Sequence, residues 1–167
     1  MAATYDSIET VTLTNNTTQE VIFNSFGSGY TDLRIVFKGG ASAATTEFQG
    51  QFNSDTTNLY SRTRITNDGS VSASSSRADT VSFMRFTGVG YLPNQDLTGV
   101  TVIDVIGYSN ATRYKTVLSR HGVWTQETNA MINLWRNTSA ITSIRLFTQA
   151  NYFYSGSMFT LYGIKAA

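Results

Sequence analysis

The sequence predicts an all-β protein: an antiparallel two-sheet β-sandwich, jelly-roll-like or another Greek key, of about ten strands in a single domain spanning residues 1–167. Three observations predict it. Short runs alternate apolar and polar residues with a period of two, turn-forming residues separate those runs, and no window of a dozen residues carries a helical stripe. A closed barrel is the alternative arrangement of the same strands.

Leu33-Arg-Ile-Val-Phe-Lys38 is the clearest strand, with Leu33, Ile35 and Phe37 facing one way and Arg34 and Lys38 the other. In chain order the remaining candidates are Glu9 to Leu13, Glu20 to Phe23, Glu47 to Phe52, Leu59 to Ile65, Thr80 to Phe86, Val100 to Ile106, Tyr114 to Trp124, Met131 to Arg136, Ser143 to Phe147 and Met158 to Ile164. Turns are expected at Asn15-Asn16, Gly27-Ser-Gly29, Gly39-Gly40, Asn67-Asp-Gly69 and Asn94-Gln-Asp96, whose residues tolerate positive φ or bend the chain through their side chains. The Ser-rich stretch between Asn67 and Asp79 reads as an exposed loop, and Ala41 to Thr46 as a second weak segment. The last strand runs almost to the end of the sequence, which predicts a pinned terminus and a self-contained unit. Its two faces, Phe159 and Leu161 against Met158, Thr160, Tyr162 and Ile164, both call for cover. Val100 to Ile106 is likewise apolar on both faces, which suits a central strand or one covered by a neighbouring subunit, and Asp104 within it calls for an Arg partner.

With no cysteine there are no disulfides, thiolate metal sites or cysteine nucleophiles, so packing and backbone pairing must hold the core. Charged residues make up 14% of the chain and the net charge is +1, too weak a field to gather nucleic acid or an anionic membrane. Ser, Thr and Asn, at 18, 25 and 12 residues, predict a neutral, hydrogen-bonding surface. Nine of the twelve cations are Arg, whose planar fork suits contacts between subunits. No apolar stretch approaches a membrane span, and Met1-Ala-Ala-Thr-Tyr-Asp6 lacks the pattern of a secretory signal, so a soluble protein made in a cytoplasm is expected.

Candidate chemistry is sparse, and no enzyme, cofactor or metal is expected. His121 is the only histidine; Ser119 shares its strand face, and Asp104 is the one conceivable orienting acid, but no nucleophile elbow or oxyanion loop accompanies them. Asn53-Ser-Asp55-Thr-Thr57-Asn58 spaces oxygen ligands like a calcium loop without its central Gly and closing Glu, and reads as an Asx-turn. The acceptor-like triplets at Asn15, Asn16, Asn110 and Asn137 read as turns too. Trp124, Trp135, Tyr152, Phe153 and Tyr154 crowd the C-terminal third, and Tyr152 and Tyr154, lying between strands, are the candidates for an exposed aromatic contact.

Several segments carry a resemblance. Ala3-Thr-Tyr-Asp-Ser-Ile-Glu-Thr10, Tyr30-Thr-Asp-Leu-Arg-Ile-Val36, Phe52-Asn-Ser-Asp55 leading into Asn58-Leu-Tyr60, Leu134-Trp-Arg-Asn-Thr-Ser-Ala-Ile-Thr-Ser-Ile144 and Gly156-Ser-Met-Phe-Thr-Leu-Tyr-Gly-Ile-Lys165 resemble small virion structural proteins of tailed bacteriophages, including cyanophages. The resemblance implies a capsid decoration (cement) protein on the outer surface of the virion, assembled in the host cytoplasm as a homotrimer and bound to the major capsid protein. A tail-fibre or receptor-binding domain that contacts host polysaccharide is the alternative, and no catalytic residues carry over. An interface of either kind would use Arg and aromatic anchors, for which Arg34, Arg85, Arg113, Arg136, Tyr152 and Tyr154 are the candidates.

Overall fold

The computed structural model describes residues 5–27, 29–67, 73–88, 91–123 and 127–165. Every regular element among them is a strand: β1 (Tyr5–Thr12), β2 (Glu20–Phe23), β3 (Asp32–Gly39), β4 (Phe48–Phe52), β5 (Tyr60–Asn67), β6 (Ser74–Val81), β7 (Met84–Arg85), β8 (Gly99–Val105), β9 (Lys115–Val123), β10 (Glu127–Trp135), β11 (Ile144–Thr148) and β12 (Met158–Ile164). They form two antiparallel sheets of unequal width. The larger has eight strands in the order β1-β12-β3-β8-β9-β10-β5-β6, and the smaller has four in the order β2-β11-β4-β7. The β-sandwich expected from the sequence is thus the observed architecture. β12 lies between β1 and β3, so it is an interior strand of the large sheet.

Alternation decides which side of each strand enters the core. In β3, Leu33, Ile35 and Phe37 are fully buried while Arg34 and Val36 point outward. Phe159 and Leu161 of β12 do the same, with Met158 exposed on the far side. The opposing small sheet contributes Phe48 and Phe52 of β4 and Ile144 and Leu146 of β11. Rings meet between the layers: Phe37 packs on Phe159 at 4.7 Å and on Phe48 at 4.8 Å, and Phe153 closes on Phe159 at 4.9 Å. A second group sits towards the other end, where Trp135 meets Phe52 at 5.6 Å and stacks on Tyr60 at 6.4 Å. Gly50 is required in β4 because a Cβ there would fall 2.8 Å from the Phe86 ring.

Three expectations need correction. The Ser-rich stretch is not all loop: Ser74–Val81 is β6, paired with β5 at the edge of the large sheet, while residues 68–72 lie outside the described residues. Its strand character comes from pairing, since neither of its faces is buried, and a strand held by backbone bonds alone leaves no apolar alternation in the sequence. Thr80 to Phe86 is not one strand either; it ends β6 and then, after a two-residue bend, supplies the two-residue β7. The expected turn at Gly39-Gly40 does not form: Gly39 ends β3, paired with Gly99, and glycine is needed there because a Cβ would collide with the Ser157 side chain. The side-chain turns do form. Asn15, Asp55, Asn110 and Asn137 each accept a backbone N–H from the residue two positions on, at 2.8–3.0 Å.

Polar side chains lock the sheets together at their margin. Asn133 of β10, fully buried, accepts the Arg85 N–H at 3.3 Å and donates its amide to the Arg85 carbonyl at 3.2 Å. It thereby caps the open side of edge strand β7. The Tyr60 hydroxyl of β5 accepts the Phe52 N–H of β4 at 3.0 Å, and the Trp135 indole donates to Asp55 at 2.7 Å. Replacing Asn133 by Leu keeps the branched shape but orphans both Arg85 backbone groups, so urea unfolding should show a loss of roughly 2 kcal/mol with an unchanged m-value.

Candidate functional site

The small sheet covers only one side of the large one, and nothing among the described residues covers the other. On that open face the outward residues of five adjacent strands line up: Val36 beside Val102, Arg34 beside Asp104, Leu118 beside Ile132, and Ala130 beside Ile65. Ile65 is 60% exposed, Ile132 54%, Val100 43% and Leu118 42%. These side chains lie in one field rather than singly, which marks an interaction surface more than ordinary surface apolarity does. Each would gain on the order of 1 kcal/mol or more from being covered.

Charge crosses the apolar field in one place. Arg34 donates to Asp104 through Nε, and Arg120 reaches the other carboxylate oxygen at 3.4 Å, so Asp104 has the Arg partner that its strand required, and a second one besides. The Asp104 hydrogen bond holds the Arg34 guanidinium above its ordinary pKa, against the opposing effect of burial, with Tyr5 assisting. Its Cζ also lies 5.6 Å from the centroid of the Tyr5 ring. A shallow hollow of about 520 Å³ opens here, lined by Tyr5, Arg34, Val36, Val102, Arg120 and Thr128.

The six candidate interface residues are not brought together. Arg34 belongs to the open face just described. Arg85 lies on the other sheet, bound to Glu47 at 2.9 Å. Arg113 is exposed in the β8–β9 connection beside a cavity of about 240 Å³, and Arg136 follows β10, where it donates to the Asn58 carbonyl at 3.0 Å. Tyr152 is 43% exposed and Tyr154 half-buried, and both lie at the opposite end of the sandwich from Arg113 and Arg136, held by backbone bonds to Ser42 and Gly40. Trp124 lies outside the described residues. The sequence reading missed Ile65, Leu118 and Ile132. A signal existed for two of them, because Val117-Leu118 and Met131-Ile132 break the alternation of their strands with consecutive apolar residues.

No triad forms around His121. Ser119 and His121 face the core from β9, whereas Asp104 is on the open face bound to its arginines. His121 Nδ1 instead meets the Thr101 hydroxyl at 2.8 Å. Asn129 sits opposite it on β10, and two residues away buried Glu127 accepts the Gly88 N–H at 2.7 Å and the Asn129 amide at 3.0 Å. No group of three or more His, Asp or Glu side chains among the described residues could hold a metal. Asp55, the centre of the calcium-like loop, has its carboxylate committed to Thr57 and Trp135.

With this geometry in view, comparison with protein-family models, curated proteins and solved structures finds no significant match.

Burial pushes the His121 pKa down to about 4, against the raising effects of the Glu127 charge and the Val100 backbone. The unfolded chain takes up this proton near pH 6.5 and the folded one only near pH 4, so unfolding binds a proton in between. Stability should therefore fall as pH is lowered from about 6.5 to about 4, by up to about 3 kcal/mol. Denaturant titrations across this window should show that slope, and His121→Gln should flatten it.

Proposed function

We propose that this protein is a structural adhesive domain, one that works by laying the open face of its large sheet against another protein. The observation that carries the reading is that face: five strands wide, with Ile65, Val100, Leu118 and Ile132 each more than 40% exposed around the Arg34–Asp104–Arg120 group. Apolar anchors around a satisfied charge group suit protein contact, in which area is buried and register is set by the charges.

Within that class, the resemblance to tailed-phage virion proteins favours a capsid decoration protein, which binds the outside of the major capsid protein shell and stabilises it, as a homotrimer. A cysteine-free sandwich suits assembly in a reducing cytoplasm. The second reading, a tail-fibre or polysaccharide-binding domain, is favoured by the exposed ring of Tyr152. Tyr154 gives it less support, being half-buried.

Imaging of purified particles is the test: density for this chain should cover the capsid exterior at a copy number near that of the major capsid protein, and confinement to the tail would overturn the reading. Ile132→Glu and Leu118→Glu should each abolish shell binding while leaving solution stability within about 1 kcal/mol, because both positions are open to water in the free protein.

A further inference from the structure

A different feature lies at the flank where the large sheet overhangs the small one. β5 runs against the usual pattern: Ile65 and Thr63 point to solvent, while Arg62 and Arg64 point to the inner side, in register with buried Asn133 and Met131 of β10. The anchors of this phase are Tyr60 and Thr66, buried at the two ends of the same strand face. At this flank β7, the last strand of the small sheet, lies against β5 and β10, and Asn133, the β10 partner of Arg62, holds the Arg85 backbone. Arg85 of β7 meets Arg62 and Arg64 there.

The three side chains repel one another. Each lies within range of the other two charges, and like charge adds to burial in lowering the pKa of Arg62 and of Arg85. Arg85 has one ion pair, to Glu47 at 2.9 Å. Arg62 lies over the Phe83 ring, 5.5 Å from its centroid. No ion pair to Arg62 or Arg64 is present among the described residues. Arg62 Nη1, Arg64 Nε and Arg85 Nε are each shut off from solvent without a hydrogen-bond partner. Buried donors of this kind are costly when unmet, and these three, unlike the unmet Ser119, His121 and Asn129 atoms, all carry positive charge. Glu127 lies further along and is already engaged by Gly88 and Asn129, and even with both glutamates counted the cluster keeps an excess of positive charge.

We propose that Arg62, Arg64 and Arg85 form a binding site for a tetrahedral oxyanion of the phosphate or sulfate class, seated in the step between the two sheets. The unmet donors and the excess charge call for an anion, and the number of forks selects its shape. A carboxylate is satisfied by one guanidinium, whereas a tetrahedral dianion offers four oxygens to three of them. Phe83 would hold the Arg62 plane in position for it.

The probes are inorganic sulfate, inorganic phosphate and acetate, each at low millimolar concentration with ionic strength matched by sodium chloride. Sulfate and phosphate should raise the thermal midpoint saturably, by roughly 3–6 °C at ten times the dissociation constant, and acetate should not. Arg64→Gln should lose that increment, yet in anion-free buffer melt at or above the wild-type temperature, because it removes an unpartnered charge from among like charges. Sulfate should also shift the arginine Nε–H resonances of the unaltered protein. An increment that is equal in Arg64→Gln, that fails to saturate or that acetate matches would overturn the site, as would unmoved Nε–H signals.

Discussion

The contact on which the rest of the molecule depends is the stack of phenylalanine rings between the sheets, Phe37 and Phe159 from the large sheet against Phe48 and Phe153 from the opposite layer. With no cysteine to form a disulfide, this packing is what holds a four-stranded sheet to an eight-stranded one. Aromatic contacts of this geometry contribute about 0.5–1.5 kcal/mol each beyond the area they bury, and four mutually touching rings also fix how the layers are aligned. The two proposed binding surfaces follow from the two-layer arrangement and from the mismatch in width. One whole face of the large sheet is left open, and its β5–β6 flank projects past the small sheet.

Polar groups do the finer positioning. The Asn133 amide takes the place of a missing neighbour strand for Arg85, and the Tyr60 hydroxyl ties β5 to β4 at the Phe52 N–H. Lys115, fully buried, donates to the Arg113 and Thr138 carbonyls at 2.7 and 3.0 Å and so joins the loops on either side of the β9–β10 hairpin. These contacts are specific where ring packing is only approximate: a slip of one residue would expose each donor or acceptor unpaired. They also explain why β5 presents arginines to the inner side. Tyr60 and Thr66 hold its phase, and the residues between them have no choice of face.

Much of the fold was legible in the residues. The alternation of β3, β8 and β12 revealed both their strand character and their inward faces, and the Asx-turns at Asn15, Asp55, Asn110 and Asn137 were readable because each is a local event spanning three residues. The need of Asp104 for an arginine was legible as well, since a charge in an apolar strand requires one. The candidate site was much less so. Of the six candidates Arg34 lies on the open face, Arg85 is on the other sheet, and Arg113, Arg136, Tyr152 and Tyr154 lie at the ends of the sandwich, because strand phase says which way a side chain points and not which strands are neighbours.

By itself, then, the sequence determined that this chain makes an antiparallel sandwich held without disulfides, because period-two patterning and turn chemistry are properties of a few adjacent residues each and the lack of cysteine is a matter of composition. Only the tertiary structure decided that the sheets are unequal, that β6 is a strand, that Ile65, Leu118 and Ile132 share one open field, and that Arg62 and Arg64 face inward near Arg85. Those outcomes depend on which strands pair and how far one sheet extends beyond the other. Such pairings join residues far apart in the chain, and no local pattern encodes them.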